Sequence, residues 1–116
     1  MHLLLISSSM VHGYGYLDHA ESEIRAFLGR AKRVAFVPFA LFDRDAYTTR
    51  VRDRLAKIGF DVQQVRSARD LESVEAIFVG GGNTFRLLET LYDLDLLDPI
   101  RKSVGGGILY MGSSAG

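Results

Sequence analysis

The 116-residue sequence contains no cysteine. That removes disulfides, thiolate metal sites and a cysteine nucleophile together, and it fits a reducing compartment. Net charge is missing as well, because 14 basic and 14 acidic side chains cancel. Neither a nucleic-acid footprint nor affinity for an anionic membrane surface is expected from such a balance. The one basic cluster, Arg50, Arg52, Arg54 and Lys57, is interleaved with Asp53 and reads as a solvated helix face. No apolar run approaches the roughly 20 residues of a membrane helix. The start, MHLLLISSSM, has neither the basic leader nor the apolar core of a signal peptide. Repeats, low-complexity tracts and linkers are absent too. A soluble, cytoplasmic chain of one domain is the expectation, with no nucleic-acid or membrane partner. Its hydrophobic share of 47% and charged share of 24% are those of a globular protein, which argues against disorder.

What is present alternates. Short apolar runs at 3–6, 33–40, 76–82 and 108–111 read as buried strands, and the alternating FDVQQV at 60–65 reads as a strand nearer the sheet edge. Between them, helical spacing places Leu17, Ala20, Ile24 and Phe27 on one stripe and Tyr47, Val51, Leu55 and Ile58 on another. A helical turn is expected at 71–74. A helix carrying Phe85, Leu87, Leu88 and Leu91 should follow a cap at Asn83 or Thr84, with another helical piece at 94–104. This order predicts an α/β fold, a mainly parallel sheet with helices on both faces. Ligands of such sheets bind beyond the carboxyl ends of the strands, where Ser7–Ser9, Gly80–Thr84 and Gly112–Gly116 fall.

Two of these turns carry a chemical pattern. Gly112, Ser114 and Gly116 fit Gly-x-Ser-x-Gly directly after an apolar strand, the arrangement of a nucleophile elbow. An elbow projects the serine Oγ into the cleft and aims the next amide, that of Ala115, at a reacting carbonyl oxygen. The plainer reading is a loop of small residues. In VGGGNTF, residues 79–85, three glycines permit close backbone approach and leave amides pointing outward. No Lys-Ser or Lys-Thr follows, so this is not a P-loop, and Gly-x-Gly-x-x-Gly does not occur there. An oxyanion loop with the Gly82 amide as second donor beside Ala115 fits better; an ordinary capped strand-to-helix turn remains the alternative. The base is missing. His2 lies at a strand start, His19 in a helical pattern, and His12 on the functional edge but with no carboxylate near it in sequence. Asp93, Asp95 and Asp98 lack the glycine and terminal glutamate of a calcium loop and read as solvent-facing.

Taken together, LLLISSS, GYLDHA, VAFVPFA, IFVGGGNTFRLL and the closing GGILYMGSSAG resemble the S51 serine peptidase family, in its peptidase E or α-aspartyl dipeptidase branch. The resemblance runs along the whole chain. It implies a glutamine-amidotransferase-like (flavodoxin-like) three-layer sandwich and a Ser-His-Asp/Glu triad, acting on dipeptides with an N-terminal aspartate. Carried onto this sequence, it makes Ser114, rather than Ser113, the nucleophile and makes Gly82 and Ala115 the oxyanion donors. Asn83 shapes the loop and borders the substrate. No metal or organic cofactor is implied. In that family the histidine and its acidic partner follow the elbow, so residues 1–116 would form the N-terminal part of a single peptidase domain. None of the three histidines inherits the role of base. The resemblance therefore implies a C-terminal fragment of the same protein as partner, and a 116-residue chain inactive and poorly folded without it. A cyanophycinase-type S51 hydrolase and a non-catalytic flavodoxin-like binding domain are the competing readings.

Overall fold

The computed structural model describes residues 3–6, 21–29 and 31–113. In chain order the elements are β1 (Leu3–Ile6), α1 (Glu21–Leu28), β2 (Arg33–Val37), α2 (Arg44–Ala56) and β3 (Asp61–Gln64). A 3₁₀ turn (Ala68–Leu71), β4 (Ala76–Val79), α3 (Thr84–Asp93), α4 (Leu97–Gly105) and β5 (Leu109–Ser113) complete them. The five strands form one sheet in the order β1-β5-β4-β2-β3, and every pairing is parallel. The alternating order of apolar runs and amphipathic stretches anticipated this architecture.

Strand composition explains which strands lie deepest. The VAFV of β2 and the AIFV of β4 are buried throughout, as expected of parallel strands covered on both faces. On one face Val34, Phe36, Phe78 and Met111 pack under α1 and α2 through Ile24, Leu28, Tyr47, Val51 and Leu55. On the other face Ala35, Val37, Ile77 and Val79 pack under the 3₁₀ turn, α3 and α4 through Leu71, Leu91, Ile100 and Val104. The result is a helix–sheet–helix sandwich. The crossovers through α1 and α2 run toward β3 on the first face. Those through the 3₁₀ turn and the α3–α4 pair run back toward β1 on the second. A crossover that reverses direction must also change face to keep its hand, and these do.

Some expected elements are corrected. The helical turn sits at Ala68–Leu71 rather than at 71–74. Its position is set by Asp70, whose carboxylate accepts from the Arg66 and Ser67 amides at 2.8 and 3.1 Å. β4 ends at Val79, so the glycines lie in the loop beyond it. The basic face of α2 is not all solvated: Arg54 pairs with Glu21 at 2.6 Å and ties α2 to α1, and the Arg52 Nε donates to the Val62 carbonyl. The 17 and 20 positions of the expected first-helix stripe lie outside the described residues.

Candidate active site at the carboxyl edge of the sheet

The chain leaves β2 toward β3 but leaves β4 toward β5, so the strand order reverses between β2 and β4. That reversal opens the crevice in which parallel sheets bind ligands. The loop after β4 fills its rim. The Gly80 amide donates to the Val37 carbonyl at 3.0 Å and the Asn83 amide to the Ala40 carbonyl at 2.8 Å. Asn83 is the N-cap of α3, its side-chain oxygen accepting from the Arg86 amide at 3.1 Å. The expectation of a cap at Asn83 or Thr84 thus resolves to Asn83.

Glycine is required twice in this loop. Gly82 has φ of 147°, and a Cβ on it would lie 2.7 Å from the Ala40 carbonyl oxygen. Gly80 is buried beneath Tyr47, and a Cβ there would lie 2.5 Å from the phenol oxygen. Between them, both polar groups of Gly81 are taken. Its carbonyl accepts from the Tyr47 hydroxyl at 3.1 Å, and its amide donates to the Ser113 Oγ at 2.8 Å. The Gly82 amide has no hydrogen-bond partner among the described residues.

β5 lies beside β4 with Val79 opposite Gly112, and it runs on through Ser113 rather than ending at Met111, so the glycine loop meets the last residue of β5 through Gly81 and Ser113. Ser114, Ala115 and Gly116 lie outside the described residues, as do His2, His12 and His19 and the serine turn at 7–9. Asp93, Asp95 and Asp98 are exposed, and no group of three candidate metal ligands occurs among the described residues. The charge perturbations fall away from the glycine loop. Backbone amides of Lys32 and Arg33 hold the Glu75 carboxyl below its usual range, and the Arg66 amide does the same for Asp70. Burial pushes the Tyr110 phenol upward and keeps it neutral. An open cleft of about 510 Å³, lined by Phe39, Phe42, Arg44, Gln64 and Arg66, sits over β2 and β3. β3 is three strands from β5, roughly 14 Å at ordinary strand spacing, and β2 is two.

Tyr47 and Ser113 bear on this site, and the sequence pattern pointed to neither. Tyr47 read as one member of a core stripe, and Ser113 as the serine that is not the nucleophile. The available signal was a phenol at a buried position, which ordinarily finds a hydrogen-bond partner.

Comparison with known proteins decides the family. The model of Peptidase family S51 matches residues 3–116. The chain belongs to this family. Among its S51 relatives, Peptidase E of Streptomyces coelicolor is 51% identical over 120 residues, covering 100% of this chain and 49% of that protein. A probable alpha-aspartyl dipeptidase of Drosophila melanogaster is 51% identical over 121 residues, covering 98% of this chain and 50% of the relative. The S51 chain thus spans about half the length of the curated relatives it matches. A crystal structure of a putative Peptidase E protein from Listeria monocytogenes superposes with a TM-score of 0.76 at 26% identity, over 98% of this chain and 58% of that one. Fold and family agree, and the expected peptidase-type sandwich is the one observed.

Proposed function

We propose that this chain forms the nucleophile-bearing half of a serine dipeptidase that cleaves dipeptides with an N-terminal aspartate. One observation carries the reading: the Gly81 amide donates to Ser113 at 2.8 Å, which ties the glycine loop to the residue before Ser114. The names of the 51% identical relatives, Peptidase E and probable alpha-aspartyl dipeptidase, supply the substrate class.

The chemistry this reading implies is acyl transfer through Ser114. Ser114 Oγ attacks the carbonyl carbon of the Asp-X peptide bond while a base takes the hydroxyl proton. The carbonyl oxygen becomes an oxyanion, which the Gly82 and Ala115 amides receive. Collapse breaks the C–N bond, the leaving amine takes the proton from the base, and an aspartyl ester remains on Ser114. Water then attacks that ester, giving up its proton to the same base, and the base passes that proton to Ser114 Oγ as the ester bond breaks and free aspartate leaves. Asn83, at the start of α3, borders the substrate. The histidine and its acidic partner come from a C-terminal remainder of the protein, a reading supported by the coverage of only about half of each relative. The reaction involves no metal or organic cofactor and takes place in the cytoplasm, a placement that the absence of cysteine supports. No helix among the described residues is long and apolar enough to cross a membrane.

The test is turnover by the completed protein, this chain together with its C-terminal half. Hydrolysis of Asp-X dipeptides should exceed that of Glu-X and β-linked aspartyl substrates, and Ser114→Ala should abolish it, a loss on the order of 10⁶-fold in kcat. Undiminished turnover in Ser114→Ala would remove Ser114 as nucleophile and favour a binding domain. Preference for β-linked aspartyl substrates would favour a cyanophycinase-type hydrolase.

A further inference from the structure

The Gly81 carbonyl and the Gly82 amide belong to one peptide unit, and no cis peptide bond occurs among the described residues. In a trans unit the C=O and N–H point in opposite directions, and the unit resists twisting beyond about 10–15°. The Tyr47 hydroxyl holds the Gly81 carbonyl at 3.1 Å from the α1–α2 side. Holding that carbonyl therefore turns the Gly82 N–H the opposite way, away from Tyr47, where it meets no partner among the described residues. The preceding unit is held too, because its N–H donates to the Ser113 Oγ at 2.8 Å.

Tyr47 is itself fixed in place. It is 3% exposed, and its ring meets Phe36 edge-on with centroids 4.9 Å apart. Gly80 leaves the space its phenol occupies, since a Cβ there would lie 2.5 Å from the Tyr47 oxygen and 2.8 Å from the Phe36 ring. Core packing thus sets the ring, the ring sets the hydroxyl, and the hydroxyl sets one peptide plane at the rim of the site.

We propose that Tyr47 is a positioning residue for acyl transfer, its hydroxyl orienting the Gly81–Gly82 peptide so that the Gly82 amide awaits the oxyanion. Ser113 fastens that loop to the strand that carries the nucleophile. The inference rests on the dipeptidase reading above and assigns Tyr47 no contact with substrate.

The experiment is Tyr47→Phe in the completed protein, which keeps the ring packing and removes only the hydroxyl. Deleting an oxyanion donor costs about 10²–10³ in kcat, and releasing one without deleting it should cost on the order of 10-fold or more. KM should stay within about twofold, because the interaction is made in the transition state. An aspartyl aldehyde, whose adduct on Ser114 presents an equivalent oxygen, should lose affinity by a factor similar to the loss in kcat. A purely structural role would lower the melting temperature and leave kcat and aldehyde affinity unchanged, and that result overturns the proposal. Should Tyr47→Phe fail to fold, Ser113→Ala carries the same test through the other tie, and unchanged kcat there overturns it. Ser114→Ala separates the two levels. If that variant still turns over, the dipeptidase reading is wrong; if it is dead while Tyr47→Phe is fully active, only the role of Tyr47 is wrong.

Discussion

β2 and β1 are both short, apolar and parallel to their neighbours, yet their surroundings differ. Every residue of VAFV in β2 is 0% exposed, sealed by helices on either side. In β1, Leu3 is 48% and Leu5 72% exposed. Their register with Tyr110 and Gly112 places them on the α3–α4 face of the sheet, where Tyr110 is half-buried. No described helix reaches that far along the sheet on this face. Every crossover that runs in the direction from β3 toward β1 lies on this face. A crossover continuing from β5 past β1 in that direction would keep its hand only by passing over Leu3 and Leu5. The described residues thus leave these leucines of β1 uncovered, whereas the side chains of β2 are sealed.

The contrast is broken most severely by substituting one leucine and one core phenylalanine. Phe36→Ala opens a cavity between Tyr47 and Phe78, whose rings lie 4.9 and 5.2 Å from its own. It should destabilise the completed protein by about 3–5 kcal/mol, read from urea denaturation. Leu5→Ser should act differently by context. In this chain alone it should slow aggregation, measured by light scattering, because it removes exposed apolar surface. In the completed protein it should cost about 1–2 kcal/mol through lost burial. Equal effects in the two contexts would mean that nothing covers β1.

A smaller effect probes the rim of the sealed half. Gly82→Ala places a Cβ 2.7 Å from a backbone oxygen at a φ of 147°, a conformation that costs a side chain about 1–3 kcal/mol. The loop must shift to accommodate it, and turnover should fall further than stability does. A variant as active as wild type would show that the glycine loop takes no part in the reaction.

How much of this was legible depended on the range of the interactions. β2, β4 and the stripe of α2 could be read because burial on both faces, or on one helix face, leaves a local period in the sequence. The sheet followed from their alternation, and the place of the glycine loop beside β5 followed from the sheet. The 3₁₀ turn was misplaced because carboxylate-to-amide bonds at Asp70 position it, not hydrophobic spacing. Arg54 resembled its exposed neighbours because its partner, Glu21, lies 33 residues away. Tyr47 and Ser113 were missed for the same reason. Their contacts with Gly81 span 34 and 32 residues, and no local pattern encodes which carbonyl a buried phenol will find.

The two outer strands of the described sheet allow the mildest test, carried by pH. β3 is the outer strand on the sealed side, and Asp70 pins its end by accepting from the Gln63 side chain at 2.9 Å and from two backbone amides. Those bonds favour the ionised carboxyl and hold it below its ordinary value of 3.8. A lowered folded-state value means the contribution is fully present above pH 3.8 and is lost as pH falls through the folded value. Asp70→Asn should therefore cost on the order of 1 kcal/mol near neutral pH, the scale of a lost cap. The gap from wild type should stay constant down to about pH 5, then narrow on further acidification as the wild-type carboxyl takes up its proton. Thermal melts of both proteins across that range measure it. A gap that widens on acidification would mean that Asp70 is held above its ordinary value, and that β3 is not pinned by its charge.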